Sequence, residues 1–125
     1  MPAWLFDLDG TLIDSKEDIA HSANAVREAL GLPPRPLEEI YGFIGEGVQN
    51  LLARALGRPS PDELERALAL WRAEYGRRML DHTRVFDGLH AALDALGGTG
   101  AVVTNKPGAF ARRIVEALSL SRWFP

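Results

Sequence analysis

Two aspartates separated by one residue, Asp7 and Asp9, end a short apolar run and are followed at once by Gly10 and Thr11. Carboxylates two positions apart return to the same face of an extended chain, so the pair can work on one ligand. A carboxylate at that position is a hard oxygen donor suited to Mg²⁺, which commonly bridges to substrate phosphate. Oriented in this way, Asp7 can attack phosphorus and form an aspartyl phosphate. Asp9 can protonate the departing alkoxide and then activate the water that hydrolyses the acyl phosphate. Gly10 lets the backbone turn away tightly and leaves room for a phosphoryl group. The same residues also make an ordinary turn after an edge strand. A calcium loop is excluded, because it needs an acidic or Asn side chain at the fifth position and Gly at the sixth, where Thr11 and Leu12 stand.

The elements that must position these groups begin with a strand over Ala3–Asp7, apolar enough to be buried on both faces in a parallel sheet. A second short buried strand is expected over Ala101–Thr104. Ligand sites in open α/β sheets lie beyond the carboxyl ends of the strands, which is where Asp7 and Thr104 fall. Between them the pattern is helical. Ile19, Ala23, Val26 and Leu30 form one stripe, with Ser15 as its expected cap, Asp18 close to a capping-box position and Gly31 ending it. A short helix is expected over Leu37–Tyr41, and another carries Val48, Leu51, Leu52, Ala55 and Leu56 up to Gly57. The clearest start is Ser60-Pro61 with Glu63 completing a capping box, ahead of Leu64, Leu68, Trp71, Tyr75 and Met79 on one face. Trp71 and Tyr75 read as core of that helical region. Leu89, Leu93 and Leu96 mark a further helix ended by Gly97-Gly98, and Pro107 opens a last one with Phe110, Ile114, Val115 and Leu118 inward. The order of strand, helical insert, helix, strand, helix is that of an α/β fold.

Composition narrows the function classes. The chain has 125 residues and a formal net charge of −3, with no basic run, which argues against a nucleic-acid or anionic-membrane partner. It contains no cysteine, so disulfides, thiolate metal sites and cysteine nucleophiles are excluded. The apolar run at the start is too short for a signal peptide or a membrane span, and the expected compartment is the cytoplasm. His21, His82 and His90 lack metal-ligand spacing, and Arg77-Arg78 and Arg112-Arg113 read as solvated helix faces.

Trp4-Leu5-Phe6-Asp7-Leu8-Asp9-Gly10-Thr11-Leu12 resembles the first motif of the haloacid dehalogenase-like phosphatase superfamily. Val102-Val103-Thr104-Asn105-Lys106-Pro107 resembles its second motif in the form common among phosphoglycolate phosphatases, and Phe86-Asp87-Gly88 is similar to that group's approach to it. The resemblance implies a Rossmann-like core with an incomplete parallel sheet (residues 1–14 and 82–125) and an inserted α-helical cap (residues 15–81). It implies Asp7 as nucleophile, Asp9 as general acid and base, and Mg²⁺ held by the Asp7 carboxylate and the Asp9 backbone carbonyl. Thr104 would hydrogen-bond a phosphoryl oxygen with the Asn105 backbone amide assisting, and Thr11 would be a further substrate-binding residue. Gly45-Glu46-Gly47 matches a cap loop that reaches toward substrate, although the same residues also make a plain helix connection. A family lysine belongs to a third motif further along, so Lys106 is expected at the surface near the site entrance, as one of the substrate-binding residues.

No third-motif lysine follows residue 106 and no fourth-motif acidic cluster is present. The expectation is therefore the N-terminal portion of a phosphoglycolate phosphatase-like enzyme acting on a small phosphorylated metabolite, inactive alone. The alternative is a short, catalytically incompetent relative that associates with itself or a partner through an unpaired sheet edge. Within enzymes, a β-phosphoglucomutase-like phosphomutase shares the first motif.

Overall fold

In a computed structural model, residues 3–96, 99–102, 104, 106 and 108–124 are described. Strand β1 (Ala3–Phe6) runs parallel to β4 (Thr99–Val102), with Ala3 opposite Thr99 and Phe6 opposite Val102. A two-residue antiparallel ribbon joins β2 (Ile13–Asp14) to β3 (Arg84–Val85). Two-residue strands carry no readable period, and the sequence gives no sign of them. Strand β4 also starts and ends two residues earlier than the apolar run suggests, so Thr104 lies beyond its end.

Helices α1 (Lys16–Ala29), α2 (Leu37–Tyr41), α3 (Val48–Leu56) and α4 (Pro61–Arg78) form a layer inserted between β2 and β3. Ile19, Ala23 and Val26 of α1 bury against α4, whose Trp71 and Tyr75 are also buried, as is Met79 at its C-cap. The capping box of α4 is complete: Ser60 Oγ accepts from Glu63 N and the Glu63 carboxylate accepts from Ser60 N, both at 3.1 Å. Helix α1 differs from expectation. Ser15 sits at its N-cap without a side-chain cap bond, and Asp18 does not close a box. Both side chains are drawn instead to partners outside the helix, because the chain crosses between sheet and helical layer at this point.

The proline-rich link after α1 is fixed by buried Arg27, which donates to Pro33 O at 2.8 Å and Ala55 O at 2.6 Å. Ala55 belongs to the last turn of α3, where carbonyls have no partner within the helix. Arg77 and Arg78, read as solvated, both pair with Glu74. Helix α5 (Leu89–Leu96) and helix α6 (Gly108–Ala117) follow, with Leu93, Ile114 and Val115 buried. Gly97, Gly98 and Pro107, expected at helix ends, lie outside the described residues. The final residues pack against the sheet: the Phe124 ring meets Phe6 edge-on at 5.7 Å, and Gly100 N donates to Trp123 O at 2.9 Å. No helix among the described residues is long and apolar enough to cross a membrane.

Candidate active site

Leu8, Leu12 and Ile13 are fully buried, so the segment after β1 is pinned between the two aspartates and just beyond them. Leu12 N and Ile13 N both donate to Leu8 O, at 3.0 and 3.1 Å, folding residues 8–13 into a tight loop. Gly10 turns this loop at φ +84° with open space beside it. An L side chain there would be strained by the backbone conformation and not by a clash. The loop presents Asp7 and Asp9 to a cleft of about 100 Å³ between the sheet and the helical layer. Its apolar walls are Ile19, Ile44, Val48, Leu51 and Trp71, and its polar end is Asp7, Asp9, Tyr75, Thr104 and Lys106.

Lys106 departs most from expectation. Its side chain is only 6% exposed and its Nζ stands 3.0 Å from Asp9 Oδ1, with a second bond from Nζ to the Tyr75 hydroxyl. It is therefore inside the cleft and not at its rim, because the turn after β4 points it at α4. The Lys106 backbone N–H also donates to Thr104 Oγ1 at 3.1 Å. Burial pushes the Lys106 ammonium down from its ordinary pKa, and the Asp9 carboxylate partly restores it. Burial likewise pushes the Tyr75 phenol up, with the charges of Asp9 and Asp18 adding to the effect. The upward shift keeps the phenol neutral at neutral pH, and Lys106 Nζ is paired with Asp9.

Ser15, read from sequence as a cap, is a site residue. It is buried, and its Oγ donates to Asp9 Oδ1 at 2.6 Å. Ser15 and Lys106 thus share one oxygen of Asp9, and among the described residues Oδ2 has no partner. Asp7 is exposed at the cleft, and among the described residues its Oδ1 accepts only from its neighbour Leu8 N, at 2.8 Å. The pattern could not reveal Ser15, since a serine six residues past an aspartate carries no signal of its own.

The remaining expected residues divide. Gly45 and Gly47 line the cleft, and Gly47 (φ +90°) is the N-cap of α3, whose first turn opens there. A helix start carries free N–H groups that favour an anion. Glu46 turns away from the cleft to pair with Arg54 at 3.1 Å, and Thr11 is exposed outside it. Asn105 lies outside the described residues. Trp71 and Tyr75 are core, as read, and also line the cleft, their rings stacked at 5.0 Å.

The carboxylate pair thus follows β1 and faces the helical layer. The model of the haloacid dehalogenase-like hydrolase family matches residues 4–125. The chain belongs to this family. Its fold is accordingly the Rossmann-like core with an incomplete parallel sheet and an inserted helical cap. A phosphoglycolate phosphatase of Nitrosospira multiformis is 38% identical over 98% of the chain. The chain spans 57% of the length of that relative. The crystal structure of a predicted phosphoglycolate phosphatase from Haemophilus somnus superposes with a TM-score of 0.87 at 29% identity, over 98% of this chain and 59% of the other. Protein Tyrosine Kinase A of Mycobacterium tuberculosis superposes with a TM-score of 0.80 at 30% identity, over 98% of this chain and 57% of the other. The last likeness means that this fold does not by itself decide between hydrolysis and transfer.

Proposed function

We propose that this chain is the nucleophile-bearing portion of a Mg²⁺-dependent phosphomonoester hydrolase of the phosphoglycolate phosphatase kind. Residues 15–81 act as its cap, and residues 1–14 with 82–125 form part of its core. The observation that carries this reading is the convergence of Asp7, Asp9, Thr104 and Lys106 on one small cleft. Two carboxylates and one ammonium leave that cleft net negative, which repels a phosphate dianion unless a cation is added. The donors fit a hard cation: the Asp7 carboxylate and the Asp9 carbonyl are oxygen ligands, and Mg²⁺ completes its shell with waters and substrate oxygens. When bound there, Mg²⁺ neutralises phosphoryl charge.

The chain's own residues supply the rest. The Asp7 carboxylate attacks phosphorus and the bond to the ester oxygen breaks, while Asp9 Oδ2, having taken a proton from solvent as the substrate binds, gives it to the departing alkoxide. Asp9 then takes a proton from water as that water attacks the aspartyl phosphate, releasing inorganic phosphate and regenerating Asp7. Ser15 and Lys106 hold the other Asp9 oxygen throughout, keeping Oδ2 free for the proton. Thr104 and Lys106 bind phosphoryl oxygens, and the apolar wall of Ile44, Val48 and Trp71 excludes bulk water.

The test is release of inorganic phosphate from phosphoglycolate and from sugar phosphates, with and without Mg²⁺. It is run on this chain and on one carrying the full length of the relatives. Asp7→Asn should abolish release by a factor on the order of 10³ or more. Metal-independent release, or an unaffected Asp7→Asn variant, overturns the reading. Delivery of phosphate to a sugar phosphate in preference to water would identify a phosphomutase.

One observation favours a second reading, association. Leu5 on β1 is 75% exposed, and among the described residues β1 pairs on one side only. Such an edge accepts another strand. Sedimentation velocity should then give a concentration-dependent dimer that Leu5→Glu returns to monomer, and a wild-type monomer at every concentration sinks this reading.

A further inference from the structure

Away from the cleft, a second group of chemically competent side chains is brought together by the fold. Glu17 and His21 lie one turn apart on α1. His82 arrives from the segment between α4 and β3. One ligand atom from each of the three falls within 4.8 Å of the others. The imidazoles of His21 and His82 are 5.8 Å apart between centroids, and His82 Nδ1 is 4.0 Å from Glu17 Oε2.

This grouping is held in place from beneath. The carboxylate of Asp18, only 1% exposed, accepts from His82 N at 3.0 and 2.8 Å, from Thr83 N at 2.8 Å and from Thr83 Oγ1 at 2.7 Å. Asp18 lies between Glu17 and His21 in sequence, so the bonds that anchor His82 also fix it beside the helix turn bearing the other two groups. The backbones are set, while the three ligating side chains remain exposed and free to choose rotamers.

We propose that Glu17, His21 and His82 form a binding site for a borderline divalent transition metal, Zn²⁺ being the type case. Two imidazoles and a carboxylate are the donors this class prefers, whereas Mg²⁺ and Ca²⁺ select all-oxygen sets. Three protein ligands leave a fourth position for water. Tetrahedral Zn²⁺ with bonds of ~2.0–2.2 Å places its ligand atoms ~3.3–3.5 Å apart. Closure from the observed spacing therefore takes a shift of about an ångström, within reach of rotamer changes in three solvated side chains. The bound metal clasps the start of α1 to the return segment after α4, the two crossings between sheet and helical layer. The site is separate from the Asp7–Asp9 cleft and does not depend on how that cleft is read.

Titration of the purified chain with Co²⁺, a stand-in for Zn²⁺ that absorbs visible light, tests this. One equivalent should develop visible d–d absorption that Zn²⁺ displaces and Mg²⁺ does not. His21→Ala and His82→Ala should each weaken binding about tenfold or more, with unchanged far-UV circular dichroism. The double variant Asp7→Asn/Asp9→Asn should bind as wild type does. Absence of Co²⁺ absorption with no Zn²⁺ retained on dialysis overturns the proposal, as does binding that survives His82→Ala but disappears in the double aspartate variant.

Discussion

Removing the Asp18 carboxylate should be among the most damaging single changes in this chain. It accepts four contacts from two residues 64 and 65 positions away, so it ties together distant parts of the sequence. Asp18→Ala strands two backbone N–H groups, and an unsatisfied buried donor costs ~1–3 kcal/mol. The Thr83 N–H lies in a residue only 7% exposed and takes a cost near the top of that range. The side chain of His82 is 55% exposed, so water reaches its N–H more easily and about 1 kcal/mol is lost there. The Thr83 hydroxyl can rotate to another acceptor. The sum is ~3–4 kcal/mol. Asp18→Asn keeps one acceptor oxygen for the three contacts now made by Oδ2 and gives up the single contact of Oδ1, for ~1 kcal/mol. Equilibrium urea unfolding followed by circular dichroism reads both variants. With a slope of ~1–3 kcal/mol per molar, the Ala variant should lower the midpoint by about 1 M or more, and the Asn variant by a third of that. A loss under ~1 kcal/mol for Ala, or equal losses for Ala and Asn, would refute the bond accounting.

Ser60→Ala should cost ~1 kcal/mol by removing the acceptor of Glu63 N at the start of α4, read as a shift in the same unfolding midpoint. Burial lowers the Lys106 pKa below its ordinary 10.5, so the unfolded chain binds the extra proton between the folded and unfolded values. Stability should therefore rise with pH through that window. Lys106→Met should flatten this rise in a pH series of urea midpoints, and an unchanged slope would contradict it. The Tyr75 phenol is shifted the other way, upward from 10.0, so above about pH 10 the unfolded state ionises first and stability should fall. Tyr75→Phe should remove that fall. Ser15→Ala frees Asp9 Oδ1 of one bond. In the phosphate-release assay it should move the pH profile while leaving far-UV circular dichroism unchanged.

What the sequence reveals depends on how local the responsible physics is. The α4 capping box is readable because Ser60, Pro61 and Glu63 interact within one turn, and the stripe of Trp71, Tyr75 and Met79 follows from helical periodicity alone. Asp7 and Asp9 are readable because the requirement for two carboxylates on one face is met by residues only two positions apart. Lys106 is not, since its burial depends on how the turn after β4 meets Tyr75, 31 positions earlier. Asp18 illustrates the opposing case: its position in the first turn of α1 suggests a capping role, and a tertiary demand overrides it. The His21–His82 grouping is invisible for the same reason, because the spacing that matters is through space.

Ser15, Asp9, Lys106 and Tyr75 form one connected line of polar contacts. Its members come from the start of α1, the loop after β1, the turn after β4 and the last turn of α4. Those are the pieces that join the sheet to the helical layer, so the contacts that orient Asp9 are also contacts that seat the helices. The buried charges in this line are costly individually and tolerable only when paired, which makes the arrangement cooperative. A change at Tyr75 should therefore disturb Asp9 without touching it, and a shift of α4 relative to the sheet should loosen Lys106 first. The placement of Asp9 and the seating of the helical layer are coupled through Lys106, whose ammonium cannot remain buried if either Asp9 or Tyr75 moves away.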